Sequence, residues 1–334
     1  MDRQRCRVIV VKGGWLTTVQ DLGRYGYQQY GVPIAGAMDR FSAIVANRLV
    51  GNSDYAALLE LTLKGPELQF EEDSVIAVTG ADLSPTINGS SVPLWESIAI
   101  QRGSRLSFGT KRAGSRAYLA IADGIDVPLV LGSRSTHCAS QTGGFQGRPL
   151  KPGDILLCGE NSGKSVDRLI GKRLPDRLLP RYEQSIPLRI VPGPQQDFFL
   201  KQSLAALTEA TYTVSPQSDR MGYRLSGPNI IHKGSMPFIS DGTAMGALQV
   251  PSDGQPICLM ADRQTTGGYP KIAVVISADL PFAAQLAPGD SITFALCTVA
   301  EAQTALRKQR AQLDKALPLK NSPPLAIAPA ETTD

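Results

Sequence analysis

QVPSDGQPICLMADRQTTGGYPKIAVVISADLP, residues 249–281, holds two apolar runs of strand length, 254–261 and 272–278, on either side of a polar segment. Runs this short, rich in Ile and Val and bounded by Gly and Pro, read as buried strands. Just before them, 247–250 is another short strand, whose Gln249 faces either a barrel interior or solvent. Downstream, Pro288-Gly289-Asp290 is a turn that leads into a strand at 291–296. Upstream, 188–191 is a strand followed by a turn and a helix carrying Phe198, Leu200, Leu204 and Leu207. This half of the chain is therefore strand-rich with one short helix.

The N-terminal half carries the same signals. Residues 8–11 form a first strand, too short for the apolar segment of a signal peptide. Leu59, Leu61 and Leu63 alternate with Glu60, Thr62 and Lys64, the pattern of a half-buried strand that ends at Gly65-Pro66. Residues 74–79 are a second apolar run, and 155–158 another after Pro152-Gly153-Asp154. Asn88-Gly89 marks a hairpin, because a type I′ turn needs positive φ at both central positions. Met38, Phe41, Val45 and Leu49 make a helical stripe, with Asp39 as its N-cap and Gly51 just past its end.

The two halves echo one another in order. Gln20-Asp21 is matched by Gln196-Asp197, Met38-Asp39-Arg40 by Ser218-Asp219-Arg220, and Lys64-Gly65-Pro66 by Ser226-Gly227-Pro228. The Pro-Gly-Asp turns at 152–154 and 288–290 complete the series. A degenerate tandem duplication follows: an N-terminal β-barrel domain over 1–160, a linker at 161–187 and a C-terminal β-barrel domain over 188–298. Two such barrels leave a cleft between them, a usual ligand site. Val299, Ala302, Leu306 and Leu313 set a terminal amphipathic helix at 299–317, and the proline-rich residues 318–334 read as a disordered tail.

Composition supports this layout and removes several function classes. Across 334 residues, 42% are hydrophobic and 6% aromatic, with 32 Gly and 24 Pro, a balance that favours short strands joined by turns. The net charge of +4 is spread along the chain, as on a solvated surface and not on a nucleic-acid-binding face. No run approaches the ~20 apolar residues that span a bilayer. Five cysteines, none in a C-x-x-C pair, argue against a disulfide framework or a cysteine zinc site and for reduced thiols in the cytoplasm. Cys258 and Cys297 lie in apolar runs and read as core residues. Two histidines, His137 and His232, exclude a histidine-rich metal site, so no metal is expected. Neither a G-x-x-x-x-G-K-[ST] loop nor a G-x-G-x-x-G turn nor a G-x-S-x-G elbow occurs. No Met-Lys pair occurs either, so the chain carries no covalent biotin of its own.

Three polar constellations can carry chemistry. The densest is 261–271. Arg263 can hold a carboxylate in bidentate fashion, Gln264, Thr265, Thr266 and Tyr269 supply polar groups, and Gly267-Gly268 lets main-chain N–H groups approach an anion. Asp262 and Lys271 can move protons where their surroundings shift them. The competing view is an Asp-Arg pair bracing a tight turn. The second constellation, 215–224, offers Asp219 and Arg220 and competes with a plain turn bearing an ion pair. The third, 17–24, offers Gln20, Asp21 and Arg24 and competes with an aspartate-capped turn. Asp39 reads first as a helix cap and second as a site residue.

TTVQDLGRYG at 17–26, GAMDRFSAIVANRLVGN at 36–52, ELTLKGPELQF at 60–70, SDRMGYRLSGP at 218–228 and the segment 249–281 closely resemble the family called the C subunit of 5-oxoprolinase, KipA or allophanate hydrolase subunit 2. The resemblance spans about residues 8–297. It implies a mainly β fold of two tandem cyclophilin-like β-barrel domains with a few short helices and a C-terminal helix. It implies two partners, the KipI-like B subunit of 5-oxoprolinase and its A subunit, in a cytoplasmic complex. That complex hydrolyses 5-oxo-L-proline to L-glutamate with ATP, and the resemblance does not assign ATP to a particular chain. In that complex Arg263 or Arg220 holds the substrate carboxylate, Asp262 is a candidate base, and Lys271 with the Gly267-Gly268 amides stabilises developing negative charge. The resemblance also implies two alternatives: a carboxyltransferase component like that of urea carboxylase, taking carboxyl from biotin on another chain, and a non-catalytic regulator that binds a kinase-inhibitor homologue. Pro33-Ile34-Ala35 and Ala244-Met245-Gly246 depart from the family pattern outside the polar clusters.

Overall fold

The computed structural model describes residues 5–159, 168–182, 186–234 and 239–319. Eleven strands and one helix make the N-terminal half: β1 (Arg7–Lys12), β2 (Leu16–Gln20), α1 (Arg40–Leu49), β3 (Leu58–Thr62), β4 (Glu67–Phe70), β5 (Ser74–Asp82), β6 (Pro85–Ile87), β7 (Ser90–Ser91), β8 (Ser97–Ile100), β9 (Arg105–Phe108), β10 (Ala113–Ile121) and β11 (Ile155–Leu157). The C-terminal half adds β12 (Leu188–Pro192), α2 (Lys201–Glu209), β13 (Tyr212–Val214), β14 (Gly222–Ser226), β15 (Asp241–Gly242), β16 (Ala247–Gln249), β17 (Ile257–Leu259), β18 (Thr266–Gly267), β19 (Lys271–Val275), α3 (Leu280–Ala284), β20 (Ser291–Ile292), β21 (Phe294–Leu296) and α4 (Val299–Ala316). The fold is mainly β, as the sequence predicts, with few helices and a helix at the C-terminal end.

In the first half a six-stranded sheet, β11-β1-β4-β9-β6-β7, faces a five-stranded sheet, β2-β3-β10-β5-β8. Their shared core takes Val8 and Val10, Leu68 and Phe70 from one sheet and Leu59, Leu61, Ile76, Val78 and Leu119 from the other. The opposite face of the five-stranded sheet is buried too. Leu58, Val75, Ala77, Tyr118 and Ala120 pack against Ala43, Val45, Ala46 and Leu49 of α1. The Asp39 carboxylate starts that helix by accepting the Ser42 N–H at 2.9 Å, and Gly51 at φ 72° follows its end. The predicted hairpin joins β6 to β7, with Asn88 at φ 50° and Gly89 at φ 85°. One expectation changes: β3 is not half-buried, because its second face, which carries Glu60, is covered as well.

The second half is an eight-stranded sheet, β20-β13-β14-β17-β16-β19-β12-β21. The strand expected at 291–296 divides at Thr293, and its two pieces pair with strands at opposite ends of that order. The sheet therefore curls until its ends meet, a nearly closed barrel around Ile190, Tyr212, Tyr223, Leu248, Cys258 and Ile272. The polar segment 261–271 does not join neighbouring strands, since β16 lies between β17 and β19 and pairs with both. Cys297, expected in the core, is only half-buried, because it leaves the barrel just ahead of α4.

Residues 168–182 of the segment expected to be a linker run along the first half, where Leu169 and Leu174 are buried beside α1. The remainder at 161–167 and 183–185, and the tail from 320 onward, lie outside the described residues. α4 begins with a capping box between Thr298 and Glu301. Its far end returns to α1, where Arg48 Nη1 donates to Asp314 at 2.7 Å and to the Leu317 carbonyl at 3.2 Å. Among the described residues no helix is long and apolar enough to cross a membrane. The two Pro-Gly-Asp turns share one geometry: each aspartate carboxylate accepts the main-chain N–H three residues before it, at 2.7 Å from Lys151 and 2.8 Å from Ala287.

Candidate functional site between the two halves

A buried polar seam joins the halves. Arg220 sits just ahead of β14 and reaches across to β3. Its Nε and Nη2 donate to the two oxygens of Asp262, both at 2.9 Å. Nη2 also donates to the Gly36 carbonyl at 2.7 Å, and Nη1 to a Glu60 oxygen. The other Glu60 oxygen accepts the Met38 N–H and the Tyr118 hydroxyl, both at 2.8 Å. Tyr118 in turn accepts the Asp39 N–H at 2.7 Å. Burial alone pulls the Arg220 pKa down, but Asp262 and Glu60 outweigh it and the net shift is upward. The Tyr118 hydroxyl is held well above its ordinary value by burial, reinforced by Glu60 and Asp39.

Beside this network Gln285, just past α3, ties the halves together a second time. Its Oε1 accepts the Ser115 and Arg116 N–H groups at 2.9 Å each, and its Nε2 donates to Asp39 at 2.9 Å and to the Arg116 carbonyl at 3.0 Å. The approach requires a glycine nearby: a Cβ on Gly114, at φ 69°, would stand 2.7 Å from Gln285 Oε1. Arg116 Nη1 completes the seam with Tyr223 Oη at 2.7 Å and the Ala284 carbonyl at 2.6 Å. Asp39 is both helix cap and seam residue, since it also accepts from Tyr182 at 2.9 Å. Its pKa is raised by burial despite the opposing hydrogen bonds from Ser42, Gln285 and Tyr182.

Two further arginines differ from Arg220 in their partners. Arg263 is buried, and its bonds go to main-chain oxygens: Nη1 to Met260 at 3.2 Å and Nε to Thr243 at 3.4 Å. Arg24 is buried too, with Nε on the Val130 carbonyl at 2.8 Å and Nη2 on that of Ser135 at 2.9 Å. Neither forms an ion pair among the described residues. Burial lowers the pKa of both, opposed by Asp21 and Asp262 at Arg24 and by Tyr25 at Arg263. Arg24 of the first half thus feels the charge of Asp262 in the second, and Arg263 of the second that of Tyr25 in the first. A guanidinium bonded to carbonyls has no carboxylate in direct contact, which suits it to an anionic ligand.

The remaining candidates serve other ends. Asp21 is a structural hub: its Oδ1 accepts Ser133 Oγ at 2.7 Å, Ser135 Oγ at 2.5 Å and the Gly23 N–H at 2.8 Å, and its Oδ2 accepts the Arg134 N–H at 2.6 Å. Gln20 donates to Thr18 and to the Thr136 carbonyl. Asp219 is exposed and caps its own turn by accepting the Met221 N–H at 2.7 Å. Gln249 faces inward, with Nε2 on the Tyr269 carbonyl and Oε1 accepting from Gln264, both at 3.2 Å. Lys271 donates to Asp241 at 2.9 Å and to the Gly242 carbonyl at 3.0 Å. Thr266 and Gly267 form β18 against β15, while Thr265 lies at the edge and Gly268 and Tyr269 are exposed.

Arg220, Asp262 and Asp39 thus meet in the seam, with Arg24 and Arg263 close by. Gln249, Gln264 and Lys271 line a separate part of the second barrel. Sequence reasoning missed Glu60, Tyr118, Arg116 and Gln285. The available signal was a lone charged residue within an apolar strand, as in Leu58-Leu59-Glu60-Leu61 and Arg116 ahead of 117–121.

Residues 30–296 match the family described as carboxyltransferase domain, subdomains A and B. The chain is 39% identical over 301 residues to the 5-oxoprolinase C subunit of Escherichia coli (strain K12), covering 90% of this chain and 94% of that protein. It is 36% identical over 292 residues to urea amidolyase of Saccharomyces cerevisiae, covering 83% of this chain but 16% of that protein. The crystal structure of Kluyveromyces lactis urea carboxylase matches with a TM-score of 0.88 at 33% identity, covering 100% of this chain and 32% of that one.

Proposed function

This chain belongs to the family of carboxyltransferase domains with subdomains A and B that includes the C subunit of 5-oxoprolinase, and we propose that it is the C subunit of a cytoplasmic, ATP-dependent 5-oxoprolinase complex. The observation that carries this is near end-to-end correspondence with the Escherichia coli protein, 90% of one chain against 94% of the other. The amidolyase correspondence takes up only 16% of that much longer protein. The complex joins this chain to an A-type and a KipI-like, B-type partner and converts 5-oxo-L-proline to L-glutamate with hydrolysis of ATP.

The chemistry sets the demands. A lactam is a resonance-stabilised amide and a poor electrophile; phosphorylation of its oxygen activates it for attack by water. The substrate also carries a carboxylate that must be held. Of the two arginines suggested for that task, Arg220 has its donors committed to Asp262, Glu60 and Gly36. The assignment falls to Arg263, whose partners are carbonyls. Both Asp262 oxygens accept from Arg220, so Asp262 serves as a base only if that pair opens. With the pair closed, it fixes the charge around the substrate. Lys271, assigned with the Gly267-Gly268 amides to developing negative charge, is itself paired with Asp241 and the Gly242 carbonyl and serves only if that pair opens.

Co-expression with homologues of those two partners, followed by ADP and glutamate release with and without 5-oxo-L-proline, tests the proposal. Substrate-dependent release that disappears when this chain is omitted supports it; a stable complex without turnover refutes it. A second reading, carboxyl transfer from biotin on another chain, is favoured by the fold correspondence with urea carboxylase. It predicts a biotinylated chain on an avidin blot of the purified complex.

A further inference from the structure

Cys6 and Cys158 lie far apart in sequence and face one another in the fold. β1 and β11 run antiparallel with Arg7 opposite Leu157 and Val8 opposite Leu156, so the register sets Cys6 opposite Cys158. The Cys158 N–H donates to the Cys6 carbonyl at 2.8 Å, which carries the ladder to this pair. Directly opposed residues of an antiparallel pair have Cα atoms about 4.5–5.5 Å apart, within the ~4.4–6.8 Å that disulfides span. The two thiols also shift one another's ionisation, Cys6 downward and Cys158 upward.

We propose that Cys6 and Cys158 form a reversible cross-strand disulfide that fastens β11 to β1 when the protein meets a small-molecule disulfide oxidant. β11 has three residues and stands at the end of its sheet, with β1 as its only neighbour in that order. On its outer side β11 meets, among the described residues, only the Ile125–Cys158 bridge and the Asp126 N–H, which donates to the Leu157 carbonyl at 2.8 Å, so a covalent tie reinforces a short strand near the end of the sheet.

Cys6 is the attacking sulfur. It is half-buried, whereas Cys158 is buried in the core. The Cys158 thiol lowers the Cys6 pKa against the opposing effect of burial, and Cys6 in turn raises that of Cys158. The Cys6 thiolate attacks one sulfur of the oxidant, its S–S bond breaks, and the first small thiol leaves. Cys158, giving up its proton, then attacks the Cys6 sulfur of the mixed disulfide and the second small thiol leaves. Two protein thiols and one small disulfide become one protein disulfide and two small thiols.

The full chain, equilibrated with oxidised and reduced glutathione in varied ratio, acid-quenched and alkylated, is the test. Two of the five thiols should become resistant to alkylation together, with a cross-linked peptide joining Cys6 to Cys158. The thermal midpoint should rise on oxidation and fall again with reductant. In Cys6→Ser, which leaves the core thiol in place, the cross-link and the shift should both vanish, while Cys297→Ser should keep both. Full alkylation at every ratio, a cross-link between other cysteines, or a glutathione adduct that persists on Cys6 overturns the proposal.

Discussion

Glu60→Gln isolates the worth of the seam. Glu60 lies on β3 and accepts three hydrogen bonds, from Arg220, Met38 and Tyr118. A glutamine has one acceptor oxygen and one donor NH2. If the oxygen turns to Arg220, the NH2 confronts the Met38 N–H; if it turns to Met38, the NH2 confronts Arg220. Tyr118 cannot resolve the conflict, because turning its hydroxyl to accept from the NH2 still leaves the Met38 N–H or Arg220 without an acceptor. Either way a buried donor is orphaned, at about 1–3 kcal/mol. Removing one partner of a buried ion pair costs ~3–5 kcal/mol when the other charge is left alone. Arg220 keeps Asp262, so the low end applies; the two costs fall on the same contacts and are not added, which leaves about 3 kcal/mol. For a unit of ~150–250 residues this is a fall in Tm of roughly 6–12 °C. Lys12→Met is the control. Lys12 also pairs with a glutamate, Glu67, at 2.6 Å, but its side chain is 75% exposed, so the loss should be under ~1 kcal/mol. Calorimetry of the two variants beside the parent checks the argument. If Glu60→Gln lowers Tm no more than Lys12→Met does, the buried network contributes no more than a surface pair and the reasoning fails.

Three other outcomes follow from single sites. Arg148→Met removes the partner of Asp154, whose pKa is depressed by Arg148 against some burial. A depressed carboxylate stabilises above its unfolded value near 4. Urea titrations should therefore show about 1 kcal/mol lost at neutral pH, a gap that closes as pH falls through the depressed value; an equal gap in strong acid would sink the assignment. Gly89→Ala forces a side chain to φ 85° in the β6–β7 turn, at about 1–2 kcal/mol by the same denaturation assay; an unchanged midpoint would mean that the turn relaxes. Arg263→Gln in the assembled complex should raise KM for 5-oxo-L-proline roughly 100-fold, about 2.7 kcal/mol of lost carboxylate binding, with the fold intact by circular dichroism; wild-type KM would remove Arg263 from the substrate.

Local signals were legible in the sequence and long-range ones were not. The α1 boundaries, the Asp39 cap, the Asn88-Gly89 turn and the capped terminal helix each depend on residues within a few positions of one another, so the one-dimensional pattern contains them. The crossing of β16 between β17 and β19 depends on strand order, which periodicity does not encode. Glu60 shows the same limit at one residue. Alternation correctly put it on the face opposite Leu59 and Leu61, but nothing local says that this face is covered by α1 and, at Glu60, by Arg220 of the other half. Asp219 and Arg220 were adjacent candidates in one motif. The structure uses the first to cap an exposed turn and the second to bridge two halves, a division set by contacts with Gly36 and Glu60 far upstream.

The seam also bears on how the site comes into being. Glu60 in the first half and the Arg220–Asp262 pair in the second lose one another if the halves separate. Arg116 would lose Tyr223 and the Ala284 carbonyl, and Gln285 would lose two N–H donors and Asp39. Met38 would leave the apolar core of the second half. Water would solvate these groups in the separated state, so the net gain per contact is modest, but their geometry admits only one docking. Specificity of placement is what a site divided between two halves requires. Arg24 from one half and Arg263 from the other hold their guanidinium groups with main-chain carbonyls of their own halves, so the docking of the halves sets how the two groups stand to one another. The positive charge offered to a carboxylate is thus assembled by the docking itself. On this argument, variants that loosen the seam weaken substrate binding in the complex even where they touch neither Arg24 nor Arg263.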